Sequence, residues 1–164
     1  MSLPTHPEEI WEHIREWPFA VLGFVTVDNE ARAAGVMYVV DNKKLYVLTG
    51  PDTWKVRHLR ANPNVSVTVT VQRIPIRIRQ VPPAVITFTG KAEVKATEDI
   101  GEQVRRRLLR GYDEDIGPTC VIEIEPVGRF VTYGIGVPIP MMRRPDKALA
   151  GFRSAEDTHF GRPM

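Results

Sequence analysis

Leu45-Tyr46-Val47-Leu48-Thr49-Gly50-Pro51-Asp52-Thr53-Trp54-Lys55-Val56-Arg57-His58-Leu59 changes rhythm in its middle. Apolar alternation ends at Gly50-Pro51, and Val56 and Leu59 then recur three apart, so the spacing predicts a strand, a turn and a short helix. The first N–H groups of a helix have no partner within it, and the helix dipole adds partial positive charge at that end. Such a junction is a natural seat for a phosphate. Asp52 or Thr53 can act as N-cap, whereas Lys55 falls in the first turn, where a cation is unfavourable unless an anion is present. An ordinary capped helix with a solvated lysine accounts for the same residues, and both readings stand at this point.

Outward from this junction the chain is mostly strand. Phe19 to Val27, Ala33 to Val40 and Lys44 to Thr49 are predicted as a meander with turns at Asp28-Asn29 and Asp41-Asn42. After the stop at Asn62-Pro63-Asn64, Val65 to Val71 alternates valine with hydroxyl residues and reads as a half-buried strand. Val85 to Lys95, Thr119 to Glu125 and Arg129 to Tyr133 supply three more. An opening helix is signalled by the capping box Thr5-His6-Pro7-Glu8, followed by Ile10, Trp11, Ile14 and Trp17 at helical spacing, and it is expected to close a barrel end. A second helix is expected from Glu98 to Arg110, with Thr97 as cap and Gly111 as stop. Without βαβ alternation, this inventory points to an antiparallel barrel.

At 164 residues, 43% hydrophobic and 26% charged, the chain is of ordinary size for one globular domain. No apolar run approaches the ~20 residues of a membrane span and no secretory signal opens the chain, so a cytoplasmic protein without membrane association is expected. The lone Cys120 sits in an apolar segment and reads as a buried, inert thiol, which leaves any redox chemistry to a cofactor. A formal net charge of +2 does not suggest a nucleic-acid protein, and few aromatics interleave with the arginines. Arg105, Arg106, Arg107 and Arg110 fall where the second helix ends, as dipole compensation alone would place them, and a solvated helix end is the favoured reading. His6, His13 and His58 show no paired metal spacing, and no hydrolase motif is present. Lys55, Arg57, His58 and Tyr38 suit anion binding and proton donation.

The run Ala33 to Val40, the run Lys44 to Leu59, Asn62-Pro63 and Gly90-Lys91-Ala92-Glu93 together resemble the FMN-binding split-barrel superfamily related to pyridoxamine 5'-phosphate oxidase. The resemblance spans about Phe19 to Glu125. It implies a mainly β (α+β) fold, a six- to seven-stranded antiparallel split barrel with two or three short helices. Residues 1–134 would form the cofactor-binding domain and residues 135–164 a Gly/Pro-rich extension. By position, the resemblance places Thr49, Thr53 and Lys55 on a flavin phosphate and Val36, Met37 and Tyr38 along the ring. Trp54 stands beside Lys55 where the family has an arginine, and is expected at the pocket mouth. The resemblance also implies a homodimer that shares the pocket and acts on a small molecule.

Two further positions and the C-terminal segment depart from the oxidase pattern. Its strand-opening arginine is matched by Ala33, with Arg32 one residue away and so on the opposite face, and its later glutamine is matched by Val85. The C-terminal tryptophan and arginine-x-histidine signature are missing, so vitamin oxidation is not expected. These residues and the resemblance together lead us to expect an FMN-dependent oxidoreductase that passes hydride or electrons between a nicotinamide and a small acceptor. A deazaflavin coenzyme in the same pocket and a non-catalytic flavin or haem binder are the alternatives. Arg73 to Arg79 reads as an edge strand guarded by charge, or as an arginine face for an acidic cofactor tail. The prolines after Val137 favour extended structure, with Met141, Met142, Phe152 and Phe160 free to wrap a partner or cover a pocket, and His159 is a candidate haem ligand.

Overall fold

In the computed structural model, which describes residues 7–72, 82–112 and 115–153, the alternating segments join in one antiparallel sheet. Its strands are β1 (Phe19–Val25), β2 (Ala31–Met37), β3 (Val39–Asp41), β4 (Lys44–Thr49), β5 (Asn64–Val71), β6 (Ala84–Ala96), β7 (Cys120–Tyr133) and β8 (Leu149–Arg153). The helices are α1 (Pro7–Glu16), α2 (Trp54–Ala61), α3 (Glu102–Leu108) and the single turn α4 (Pro145–Ala148). The sheet runs β2-β1-β5-β6-β7-β4-β3, with β8 also beside β7. Its two ends, β2 and β3, are consecutive in the chain and separated only by Tyr38. The sheet therefore curls until its edges are joined by the chain itself, which is the expected mainly β split barrel.

The inner face carries the core. Val65, Val67, Val69 and Val71 of β5 point inward, as their alternation with Ser66, Thr68 and Thr70 predicts, and pack with Leu22, Ile86, Ile122 and Ile124. Ile10, Trp11 and Ile14 of α1 join the same cluster, with Trp11 edge-on to Phe130 at 5.6 Å between ring centres. A second, smaller cluster lies outside the barrel, where Ile100, Val104 and Leu108 cover Tyr46 and Val121. Burial on both faces explains why Leu45-Tyr46-Val47 and Cys120 to Ile124 read as continuous apolar runs apart from Glu123.

Several boundaries differ from expectation. The two strands expected on either side of residues 126–128 are one strand, β7, bent by a bulge: Thr87 faces Val131 but Thr89 faces Val127, and Gly128 takes φ 81°. That backbone conformation suits glycine, which lets the ladder continue through the irregularity. The expected helix from Glu98 is instead a 3-10 turn (Thr97–Asp99) and α3, interrupted at Ile100-Gly101. Thr97 does not cap it, because its hydroxyl pairs with that of Thr119 at 2.9 Å. Residues after Val137, expected to be extended, form a 3-10 turn (Ile139–Arg143), α4 and then β8 along β7. Ile135, Val137 and Met142 are buried in the barrel's own core, and the Tyr133 hydroxyl donates to the Met142 carbonyl. Apolar burial holds the stretch as far as Ala148 against the barrel, and β8 then continues it by pairing with β7. The Thr5 end of the capping box, Arg73 to Arg79, His159 and Phe160 lie outside the described residues. Among described residues, no helix is long and apolar enough to cross a membrane.

On the outer side of β7, Glu123 is only 10% exposed and is held between Lys44 Nζ at 2.9 Å and Lys95 Nζ at 3.0 Å. Burial by itself pushes the Glu123 carboxyl up, but hydrogen bonds from both lysines outweigh it and hold the group below its ordinary range. The same bonds raise Lys44 and Lys95. The carboxylate's contribution to stability is therefore present above the ordinary Glu pKa of about 4.3 and lost as pH falls through the lower folded value. The lysine contribution is present below about 10.4 and lost as pH rises through their higher folded values. Glu123→Gln is expected to cost about 1–3 kcal/mol near neutrality, and the gap to wild type should close on acidification. Urea melts at about pH 7 and about pH 3 check this, and an equal gap at both would contradict it.

Candidate functional site

The outer cluster also shapes a cleft. Val104 and Leu108 anchor α3 over β4, and the end of that helix overhangs the bend between β2 and β3. The resulting space of about 410 Å³ is lined by Gly35 to Val39, Val47, Leu48, Lys55, Arg107, Leu108, Arg110 and Tyr112. Its walls are apolar strand, and among the described lining residues the ionisable rim is one-sided, with three cations and no carboxylate. Volume and lining both suit a flat organic molecule bearing anionic groups.

Lys55 enters this cleft from the start of α2, half-buried and outside every ion pair among the described residues. Thr53 occupies the N-cap position with φ −72° and ψ 147°, yet its side chain makes no cap bond. Its hydroxyl instead donates to the Gly50 carbonyl at 3.0 Å, closing the turn. The first N–H groups of α2 are thus left without a side-chain acceptor, beside a lysine in a position the dipole disfavours. An anion seated there satisfies both, and these residues fit a phosphate group.

Val36, Met37, Tyr38 and Lys55 line one cleft. Val36 is buried and Met37 is 60% exposed. Tyr38 borders the cleft, but its hydroxyl lies 2.7 Å from the Ile14 carbonyl and 2.6 Å from that of Trp17. These bonds commit the hydroxyl proton to the end of α1, which they tie to the barrel, and burial pushes the Tyr38 pKa far up. Thr49 ends β4 opposite Cys120, and neither Thr49 nor Thr53 is among the lining residues. Trp54 departs from the expected pocket mouth: it faces another cleft with His58 and Arg32. Arg57 is exposed and is not among the lining residues. Cys120 is buried, and burial raises its thiol pKa.

Arg107 and Arg110 were not expected here. Arg106 behaves as a solvated helix-end residue, paired with Glu102 one turn back. Arg107 instead donates Nη1–H to the Val40 carbonyl at 2.9 Å, which fixes the guanidinium across the cleft wall. No local spacing signals this contact, because the Val40 carbonyl lies 67 positions away in the chain.

A family profile described as Pyridoxamine 5'-phosphate oxidase matches residues 6–132. No curated protein sequence matches the chain. Among solved structures, the haem storage protein HutZ of Vibrio cholerae is similar at TM-score 0.59 and 19% identity, over 76% of this chain and 92% of that one. An F420 reductase is similar at TM-score 0.54 and 17% identity, over 71% and 91% of the two chains. An FAD-binding protein of Mesorhizobium loti is similar at TM-score 0.53 and 17% identity, over 74% and 90%. These likenesses establish the fold and no particular ligand.

Proposed function

The chain belongs to the pyridoxamine 5'-phosphate oxidase family, and on that premise we propose that it is a flavin-binding oxidoreductase that passes hydride or electrons between a nicotinamide and a small acceptor. The observation that carries this reading is the cleft itself: an apolar, strand-walled space with Lys55 and the uncapped start of α2 at its border. FMN is the proposed cofactor. When bound, it supplies the electron chemistry. Lys55 and the free N–H groups of α2 hold the phosphate, by charge-assisted and dipole-assisted bonds. Gly35, Val36 and Met37 would present strand backbone to a bound flavin, and Leu48 and Leu108 would help to exclude water from it. No residue needs to supply a nucleophile.

A second reading draws on Arg107 and Arg110. With Lys55 they give the cleft more positive charge than one phosphate requires, which favours a deazaflavin coenzyme with an acidic tail on this same fold. A non-catalytic flavin binder needs only the seat, without room for a substrate beside the ring. For the haem alternative, neither His nor Cys is among the described residues that line the cleft, and His159 lies outside the described residues.

We also propose that the protein is a homodimer built on the outer face of β1, β2, β5, β6 and β7. Gly35, Val21, Thr68, Thr87 and Val131 lie opposite one another across these five strands, and none is charged. Phe19, Val21, Met37 and Val131 are between 40% and 60% exposed, and together they leave an apolar sheet face in need of cover. The cleft opens at Gly35 to Val39, at the border of that face, so a partner seated there can complete it.

The reading is tested by an absorption spectrum of the purified protein, mass analysis of any released cofactor, and reduction of the loaded protein by NADH, NADPH or reduced deazaflavin. A yellow protein that is reduced and then reoxidised by an acceptor is expected. Tight cofactor binding with no reduction by any donor would reduce the reading to a binding protein.

A further inference from the structure

Trp54 and His58, four residues apart, share the face of α2 that looks away from the cationic cleft. With Thr26, Asp28, Glu30 and Arg32 they line a second space of about 330 Å³ beside the β1–β2 turn. Its floor is aromatic. Phe24, buried beneath, lies 5.3 Å from the Trp54 ring centre and 6.4 Å from that of His58, and Trp54 meets His58 edge to face at 6.4 Å. Two rings therefore fix the indole, yet 46% of Trp54 stays exposed.

The charges around that indole are unbalanced. His58 Nδ1 accepts the Val27 N–H at 3.3 Å. Arg32 is committed to Glu30, with Nη2 to Oε2 at 2.7 Å. Among the described residues Asp28 has no ion-pair partner, so the cleft holds one uncompensated carboxylate beside an electron-rich ring.

We propose that this second cleft binds a small organic cation carrying a flat apolar group, of the arylalkylammonium class. The ammonium is attracted both to Asp28 and to the face of Trp54, and the aryl group packs on the aromatic floor. A neutral ring gains only the packing, and an anion meets Asp28 without compensation. None of this depends on a flavin, because no residue is shared with the cationic cleft.

The test is an NMR titration of the full chain with 2-phenylethylamine, its neutral isostere 2-phenylethanol and the anion phenylacetate. The Trp54 indole N–H is assigned by its loss in Trp54→Phe, and buried Trp11 serves as internal control. Saturable shifts of the Trp54 indole and the Val27 amide are expected with the amine alone. Asp28→Asn, an exposed change that leaves the fold intact, should weaken the amine at least about fivefold. Equal shifts with the alcohol or the carboxylate, no effect of Asp28→Asn, or shifts confined to Lys55 and Arg107 would each overturn the proposal.

Discussion

Replacing Lys55 with alanine is expected to weaken FMN binding about ten- to hundred-fold while leaving riboflavin binding nearly unchanged. A hydrogen bond to a charged group contributes about 1.5–3 kcal/mol, and each 1.4 kcal/mol is tenfold in affinity. The distinction between the two flavins isolates the phosphate, because they share the ring and differ at the group Lys55 would hold. Folding should survive, since Lys55 is half-buried and belongs to no ion pair among the described residues. Fluorescence titration of wild type and variant measures both constants. Unchanged affinity for FMN and for a deazaflavin coenzyme would remove the phosphate seat from α2. An equal loss for FMN and riboflavin would move Lys55 to the ring. Arg107→Ala separates the two cofactor readings further: it should matter little for FMN and strongly for a ligand with an acidic tail, with the loss shrinking as salt is added.

The parts of the fold that were legible in the sequence are those where one face is buried and the other wet. Val65 to Val71 alternates without exception, and its register follows directly. Where both faces are covered the pattern is lost, so nothing local marks Cys120 to Ile124 as lying beneath α3. Gly128 separates two apolar stretches in the sequence, yet the bulge at that glycine lets one strand run through. The site divides in the same way. Lys55 was legible because its place in a first helical turn conflicts with the dipole, a rule that acts within a few residues. Arg107 was not, since its partner is a carbonyl 67 positions away and only the packing of α3 on β4 brings the two together. Trp54 was drawn toward Lys55 by adjacency, although neighbours on a helix point about 100° apart. Phe24 of β1 instead offers the indole an aromatic partner.

The largest effect on assembly is expected from charge placed in the uncharged sheet face. Val21→Glu and Val131→Glu stand at two positions of one transverse row, opposite Gly35, Thr68 and Thr87 within the subunit. No carboxylate neighbours them in that row, so the isolated barrel has no like-charge clash to resist and the fold should be retained by circular dichroism. In a two-fold dimer each substituted position appears twice on a self-complementary surface, and two carboxylates brought together and dried cost several kcal/mol. The double variant should therefore run as a monomer in light scattering at concentrations where the wild type is a dimer. If the partner completes the cleft at Gly35 to Val39, cofactor affinity should fall with it by at least about tenfold, although both substitutions lie outside the lining residues. Val21→Thr keeps the surface neutral and should preserve both dimer and cofactor. A wild-type monomer that binds cofactor tightly would overturn the homodimer, and a double variant that stays dimeric would place the interface elsewhere. A monomeric variant with full affinity would show that one barrel holds the cofactor unaided, and the exposed row would then serve assembly alone.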